Sequence, residues 1–241
     1  MRVPLHPAGG REIALILLLF GGLAAIAFGF VLAGFAWFWP IGGLAILLGG
    51  GGVLFFRDPE RTPPTEPGIF VAPADGKLVE ATALDHHPDI GGPATRIGIF
   101  LSVFNVHVNR SPCAGVVRTI RYEPGQFLDA RDPQSSSKNE ANTLVIEPDE
   151  PMGGPVVVRQ IAGLIARRVI CTLKVGDRIE IGQRIGLIKF GSRTELIVPG
   201  HDQFKIVAPM GKQVRGASTI LARRQPLTEP VDTVRQTAEV S

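Results

Sequence analysis

The chain has 241 residues, 45% of them hydrophobic, and a formal net charge of +3. This length suffices for one or two domains, and the scattered lysines and arginines, with no aromatic residues interleaved, give nucleic-acid binding no support. The two cysteines, Cys113 and Cys171, stand far apart, which excludes a zinc site of paired cysteines and argues against a disulfide framework.

The first predicted element is a membrane hairpin in residues 1–56. The stretch from Ile13 to Phe56 contains no charged residue and is much longer than the roughly 20 residues that one spanning helix needs. The sequence Trp37-Phe38-Trp39-Pro40 interrupts it, and tryptophan favours the headgroup layer while proline disrupts a helix. We therefore predict two membrane helices at about 13–35 and 40–56.

The basic residues around this stretch predict its orientation. Arginines precede it at positions 2 and 11 and follow it at positions 57 and 61, whereas the predicted turn contains neither lysine nor arginine. Because positive residues stay on the cytoplasmic side, we expect the hairpin in the cell (inner) membrane with both ends, and the soluble domain, in the cytoplasm.

The rest of the chain predicts a mainly β, barrel-sandwich-like domain with minor α content. A linker at 57–68, rich in proline and charge, should be extended and exposed. Short β-like runs separated by Gly, Pro and Asp turns then fill a domain at 69–224. The best helical candidate is Ala162–Ile170, and residues 225–241 are expected to form a mobile tail.

The glycine spacing of the domain leaves a second class of function open. The segments "VAPADGKLV" at 71–79 and "KVGDRIEIGQRIGLIKFG" at 174–191 resemble the turns of lipoyl- and biotinyl-type folds. The alternative is therefore a membrane-anchored carrier or adaptor domain, with Lys212 near Met210 as the attachment point. No second methionine follows Lys212, and no heptad run supports an adaptor.

Three residues are candidates for chemistry, each with a structural alternative. Asp75, followed by glycine, is either a hairpin turn or an acid. A strand predicted over Phe100–Val108 places His107 on a polar face that is either solvated or part of a site. Ser192 in "KFGSRTE" is either in a hairpin turn or a nucleophile; together the three would make a Ser/His/Asp group. The Gly-x-Ser-x-Gly elbow is absent, which disfavours an ordinary serine hydrolase.

An apolar hairpin is followed in order by "APADGK", "FLSVFNVHVNRSP", "GLIARRVI" and "GDRIEIGQRIGLIKFGSRTELIVP". Together these motifs resemble the short form of phosphatidylserine decarboxylase, over about residues 55–215. The resemblance implies an inactive proenzyme that cuts itself between Gly191 and Ser192 into a β chain (1–191) and an α chain (192–241). It also implies that Asp75 and His107 activate Ser192.

The resemblance further implies the cofactor and the substrate. Ser192 would become a pyruvoyl group that forms a Schiff base with phosphatidylserine and releases phosphatidylethanolamine, with no metal and no added cofactor. Many members have a second histidine three places after the first, where this chain has Arg110. The arginines expected to meet the substrate's phosphate or carboxylate, unless solvated, are Arg110, Arg167, Arg168 and Arg193. The oligomeric state is left open, a homo-oligomer included.

Overall fold

The apolar N-terminal region forms two helices in a computed structural model that describes residues 4–132, 134–164, 168–189 and 191–225. Helix α1 spans Gly10–Leu32 and α2 spans Trp39–Phe55, with a short 3-10 helix, Ala36–Phe38, between them. With the adjoining 3-10 turns, the two helical stretches Pro7–Leu32 and Ala36–Phe55 are long and apolar enough to cross a membrane. Pro40, where the second helix was predicted to begin, lies in the first turn of α2, where its missing N–H costs no hydrogen bond.

Small residues let the two helices approach closely. A side chain built on Gly42 would lie 3.4 Å from the Ala27 Cβ, and one on Gly49 would lie 2.9 Å from the Phe20 Cβ. Such contacts between small residues are the usual way in which membrane helices pack, because lipid provides no hydrophobic drive. The hairpin is thus a packed unit.

The base of the hairpin packs on the soluble domain. Backbone hydrogen bonds join the two ends of the hairpin, from His6 N to Phe56 O at 2.9 Å and from Asp58 N to Pro4 O at 2.7 Å. Below them lies a hydrophobic cluster, the hairpin-base cluster, which consists of Phe55, Phe56, Val106, Val108 and Leu187, with Ile13 and Ile16 packed against it. This cluster attaches the helices to strands of the β domain.

The soluble domain is built from antiparallel strands, which confirms the mainly β prediction. An eight-stranded sheet has the order β13-β2-β3-β11-β7-β6-β5-β9, and two three-stranded sheets have the orders β1-β14-β12 and β4-β10-β8. One short helix, α3, spans Ser135–Lys138. The strands are β1 Ile69–Val71, β2 Gly76–His87, β3 Gly92–Leu101, β4 Val108–Arg110, β5 Gly115–Glu123, β6 Ala141–Pro148, β7 Val156–Ile161, β8 Val169–Cys171, β9 Arg178–Ile179, β10 Arg184–Ile188, β11 Ser192–Pro199, β12 Phe204–Ile206, β13 Gln213–Val214 and β14 Ile220–Arg224.

Strand β11 lies inside the eight-stranded sheet, between β3 and β7. All eight of its residues pair with β3, from Ser192 opposite Leu101 to Pro199 opposite Ala94. Every residue of β11 is buried. A strand with neighbours on both edges and layers on both faces is held firmly, so the position of its first residue, Ser192, is well determined.

One local prediction was wrong and another holds only in part. The helix expected at Ala162–Ile170 does not form in its described part, since Val169 begins the strand β8. The linker is exposed or half-buried except at Asp58, which is buried and forms ion pairs with Arg110 at 2.8 Å and Arg184 at 2.5 Å. A buried carboxylate needs such partners, and both arginines come from distant strands.

Candidate active site

Gly191 and Ser192 lie where the chain crosses from one sheet to another. Strand β10 belongs to the sheet with β4 and β8, whereas β11 begins at Ser192 in the eight-stranded sheet. The hairpin turn considered for this segment is therefore wrong. Gly191 has a φ of +64°, a left-handed conformation that glycine adopts easily and other residues rarely. The glycine allows the chain to turn sharply just before the serine.

The Ser192 hydroxyl is buried without a hydrogen-bond partner among the described residues. Its side chain is fully inaccessible to solvent. Among the described residues, Ser192 Oγ is one of the few buried side-chain polar atoms that have no hydrogen-bond partner. An unpaired buried hydroxyl is costly, since folding removes it from water without replacing the lost hydrogen bond. Its burial next to a left-handed glycine is the arrangement expected of a group held for chemistry.

His107 lies against the Gly191–Ser192 segment. Its Nε2 accepts a hydrogen bond from the Gly191 N–H at 3.2 Å, and its Nδ1 lies 3.0 Å from the Asn105 carbonyl oxygen. Because Nε2 accepts, the ring proton belongs on Nδ1, which donates to that carbonyl. Burial lowers the pKa of His107 from 6.5 to about 4. The imidazole is thus neutral at pH 7 and presents a basic nitrogen to the glycine amide.

The strand predicted over Phe100–Val108 is interrupted, and the interruption places His107. Strand β3 ends at Leu101 and β4 begins at Val108. Between them the Asn105 side chain accepts hydrogen bonds from the Ser102 backbone N–H at 2.9 Å and from its hydroxyl at 2.8 Å. Asparagine often closes turns in this way. The turn frees His107 from the strand and lets it reach Gly191.

A chain of buried polar side chains joins β4 to β11 beside Ser192. The Asn109 amide donates to Thr194 Oγ1 at 3.1 Å, and the Gln160 amide donates to Asn109 Oδ1 at 2.8 Å. The Asn142 amide continues the chain to Gln160 Oε1 at 3.1 Å. Fully bonded networks of this kind fix the strands that they join. Asn109 and Thr194 each lie two residues after His107 and Ser192, so the network holds these two residues in register.

Gly163 approaches the carbonyl group of Gly191. A Cβ built on Gly163 would lie only 2.1 Å from the Gly191 carbonyl oxygen. The backbone of Gly163 therefore packs directly on this oxygen, and only a residue without a side chain fits there. Sequence reasoning missed Gly163 because it placed the residue in a helix; a glycine inside a predicted helix was the available signal.

We predict that Gly163→Ala slows any reaction at the Gly191 carbonyl by about a hundredfold. The added methyl group must displace that carbonyl, and a shift of about 1 Å can cost roughly a hundredfold in rate. The measurement is the rate at which the intact chain is lost on a denaturing gel. Gly92→Ala is the matched control, since a Cβ there meets nothing within 4 Å. Equal rates for both variants would contradict the prediction.

Comparison with known proteins identifies the family of the chain. The profile of the family described as phosphatidylserine decarboxylase matches residues 52–222. The chain belongs to the phosphatidylserine decarboxylase family. The match contains Gly191, Ser192 and His107, and it makes the chain an enzyme of the carboxy-lyase class, as the motifs predicted.

Curated relatives agree with this assignment over most of the chain. The chain is similar to the phosphatidylserine decarboxylase proenzyme of Rhodopirellula baltica, with 45% identity over 81% of this chain and 80% of the relative. It is similar to the proenzyme of Salinibacter ruber, with 44% identity over 78% of this chain and 83% of the relative. It is also similar to the proenzyme of Nocardia farcinica, with 41% identity over 91% of this chain and 87% of the relative. The family favours a decarboxylase over the carrier alternative built on Lys212.

Asp75, which the decarboxylase resemblance also singled out, is not bonded to His107 or Ser192 in the structure. Its carboxylate accepts from Arg61 at 2.8 Å and from the Gly216 N–H at 2.8 Å. It does not form a hairpin turn either, because β1 and β2, which flank it, belong to different sheets. The activating role of Asp75 therefore stays a prediction, and its contacts are those of a residue that fixes the start of β2.

Two of the four arginines expected to meet the substrate have carboxylate partners. Arg110 pairs with Asp58, as described above, and Arg193 pairs with Glu80 and Glu195. Arg168 is exposed, and Arg167 lies outside the described residues. A guanidinium already bound by carboxylates is a poor candidate for a second oxyanion. Arg168 is the described arginine of this set that stays open to solvent.

A cleft of about 380 Å³ opens beside Gly191. Its polar wall contains Asp129 and Arg131, which form an ion pair at 2.6 Å. Its apolar wall contains Val103 and Leu164, which are 39% and 65% exposed. Sequence reasoning missed Arg131, since nothing in its neighbourhood distinguishes it from a surface arginine. The cleft offers charge and apolar surface next to the candidate reacting bond.

Proposed function

We propose that the protein is a membrane-bound decarboxylase that converts phosphatidylserine into phosphatidylethanolamine after it has cut its own chain between Gly191 and Ser192. The observation that carries this proposal is the buried Ser192 hydroxyl, unpaired within the described residues, beside a glycine amide bound by the neutral His107. Relatives named as proenzymes of this activity support it.

Self-cleavage begins with the Ser192 hydroxyl. His107 Nε2 takes its proton as the oxygen attacks the Gly191 carbonyl carbon, and the peptide C–N bond breaks as an ester forms. The same proton then goes to the released amine. Loss of the Ser192 α-proton next expels the Gly191 carboxylate and leaves a dehydroalanine. Its hydrolysis consumes one water, releases ammonia and leaves a pyruvoyl group at the new N-terminus.

The local geometry fits these steps. Gly191 has a left-handed backbone conformation, and the Gly163 backbone packs on its carbonyl oxygen. His107 donates through Nδ1 to Asn105, which holds its ring with Nε2 toward the reacting segment. A base with a lowered pKa is already deprotonated at neutral pH, so no proton must leave before the reaction.

The position of Ser192 also fits the mature group. A pyruvoyl carbonyl supplies an electron sink for the pair left by departing carbon dioxide, without an added cofactor. Ser192 is fully buried between β3 and β7, which excludes water from that position. His107 remains within reach to move a proton at Nε2. These residues would orient the reacting end of the substrate and protect it.

The cleft beside Gly191 fits a lipid that approaches from the hairpin side. Phe104, next to Val103, is 84% exposed, and its carbonyl oxygen accepts from Arg57 at the end of α2 at 2.5 Å. The Asp129–Arg131 pair gives the cleft a polar wall where a headgroup can lie, while Val103 and Leu164 can contact acyl chains. The substrate could thus react while its tails stay in the bilayer.

The proposed enzyme lies on the cytoplasmic side of the cell (inner) membrane and consists of two chains that stay associated. Arginines on both sides of the hairpin favour a cytoplasmic domain on the cell (inner) membrane. After the cut, the β chain (1–191) and the α chain (192–241) would stay together, because β11 of the α chain pairs with β3 and β7 of the β chain.

The test is intact mass and N-terminal analysis of the purified protein. We expect two fragments in place of the 25.8 kDa chain. The smaller fragment should begin at a blocked pyruvoyl group that borohydride reduces, and the preparation should release carbon dioxide from phosphatidylserine vesicles. A preparation that is active while it remains a single chain would overturn the proposal.

A further inference from the structure

An ion pair between a buried lysine and a partly exposed glutamate connects the first membrane helix to the segment just before the proposed cut. Lys189 lies two residues before Gly191 and is 8% exposed. Its Nζ lies 2.5 Å from Oε1 of Glu12, in the first turn of α1. Glu12 is the ion-pair partner that the described residues provide for Lys189. The position of the lysine thus depends on the position of the helix.

Backbone bonds extend this connection to His107. The residue before Lys189, Ile188, donates its N–H to the His107 carbonyl oxygen at 3.2 Å. Lys189 donates its own N–H to the Arg168 carbonyl oxygen at 3.3 Å. The segment held by Glu12 is therefore also bonded to the His107 backbone, and it leads into Gly191.

The second membrane helix, α2, also contacts the candidate site, through its C-terminal end. The Phe55 ring, at the end of α2, lies against the His107 ring with centroids 4.3 Å apart and planes tilted by 37°. Phe55 belongs to the hairpin-base cluster together with Val106 and Val108, the neighbours of His107. Each helix of the hairpin therefore contacts one side of the reacting segment, α1 through Lys189 and α2 through His107.

Small displacements matter at this site. Ser192 Oγ has no hydrogen-bond partner among the described residues, so His107 must move slightly from the Gly191 amide to reach it. A buried lysine without its carboxylate would draw its segment toward water, because an unpaired buried charge is strongly unfavourable. Reactions between positioned groups lose much of their rate after shifts of about 1 Å.

We propose that Glu12 and Lys189 are positioning residues for self-cleavage, and that their ion pair couples cutting of the chain to insertion of the hairpin in a membrane. This inference rests on the proposed function. With the hairpin seated, Glu12 holds Lys189 and with it the upstream side of the Gly191–Ser192 bond. Before insertion, this pair is absent and the bond is not held for attack.

The test uses the full chain, synthesised without cells in the presence of phosphatidylcholine vesicles, which contain no substrate. The variants are Glu12→Gln, Lys189→Met and the exchanged pair Glu12→Lys with Lys189→Glu. We expect each single change to slow cutting at least about tenfold. The exchanged pair should restore the rate to within about threefold of wild type, because it rebuilds the same attraction with the charges reversed.

Controls separate positioning from general damage. Arg178→Gln removes the exposed ion pair between Arg178, in β9, and Asp149. This variant should leave the cutting rate unchanged. Glu12→Asp retains the charge with a shorter reach and should give an intermediate rate. Single variants that cut at the wild-type rate, or an exchanged pair no faster than the singles, would overturn the role of the ion pair.

The coupling to the membrane has its own measurement. Wild type synthesised without vesicles or detergent should cut at least about tenfold more slowly than with phosphatidylcholine vesicles. Equal rates would overturn the coupling while leaving the proposed function intact. A wild type that is never cut, yet decarboxylates, would instead remove the proposed function on which the inference rests.

Discussion

Replacement of Ser192 by alanine is expected to leave one uncut chain of 25.8 kDa without decarboxylase activity. Alanine has no oxygen to attack the Gly191 carbonyl, and without the cut there is no new N-terminus to carry the pyruvoyl group. Without the nucleophile, neither the two cut chains nor carbon dioxide should form. The measurements are intact mass and carbon dioxide release from phosphatidylserine vesicles.

A second buried serine provides the control for this variant. Ser111 is also fully buried, but its hydroxyl donates to the Cys113 carbonyl oxygen at 2.6 Å. Ser111→Ala should therefore cost about 1 kcal/mol of unfolding free energy and still be cut. Ser192→Cys retains a nucleophile and should be cut slowly. A cut and active Ser192→Ala chain would refute the assignment of the serine.

Replacement of His107 by glutamine is expected to slow self-cleavage by about 10²- to 10⁴-fold, the usual contribution of a general base. Glutamine can still accept the Gly191 N–H through its side-chain oxygen, so it tests the basicity of the ring more than its hydrogen bond. The measurement is the first-order loss of the intact chain. His201→Gln, at an exposed histidine, should be cut at the wild-type rate.

The pH profile of wild-type cutting distinguishes a buried base from an exposed one. Because burial lowers the pKa of His107 to about 4, the base is neutral above roughly pH 5 and becomes protonated below it. The cutting rate should therefore be level from pH 8 to about pH 5 and fall only in more acidic solution. A fall centred near 6.5, the ordinary value, would contradict the buried, neutral His107.

Elements with strong local patterns could be predicted from the sequence. The uncharged stretch Ile13–Phe56 was long enough to require two helices, and recurring short apolar runs required a mainly β domain. The chemical importance of Ser192 came from the order of motifs, since its local sequence fits a turn equally well. That Gly191 would meet His107 could not be read from spacing, because the contact depends on the pairing of β4 with β10, two strands that lie far apart in the chain.

The errors arose where tertiary contacts override local preference. The apolar residues of Ala162–Ile170 fit a helix, but Gly163 packs on the Gly191 carbonyl, and β8 pairs with β10. The ion-pair partners Asp58 of Arg110, Glu80 of Arg193 and Arg61 of Asp75 are likewise side chains that the fold brings from elsewhere in the chain. Sequence supplied the charged groups, but the fold determines which pairs form.

In the cut enzyme proposed above, the placement of β11 governs how the protein recovers from unfolding. A cut before Ser192 leaves a chain whose first strand is enclosed between two neighbours of the other chain. The uncut protein can refold by a first-order process, whereas two separated chains must find each other, so their recovery depends on concentration. The peptide bond cannot re-form from a pyruvoyl end. The working life of the enzyme would then be governed by its unfolding rate, with each complete unfolding event a loss of one molecule.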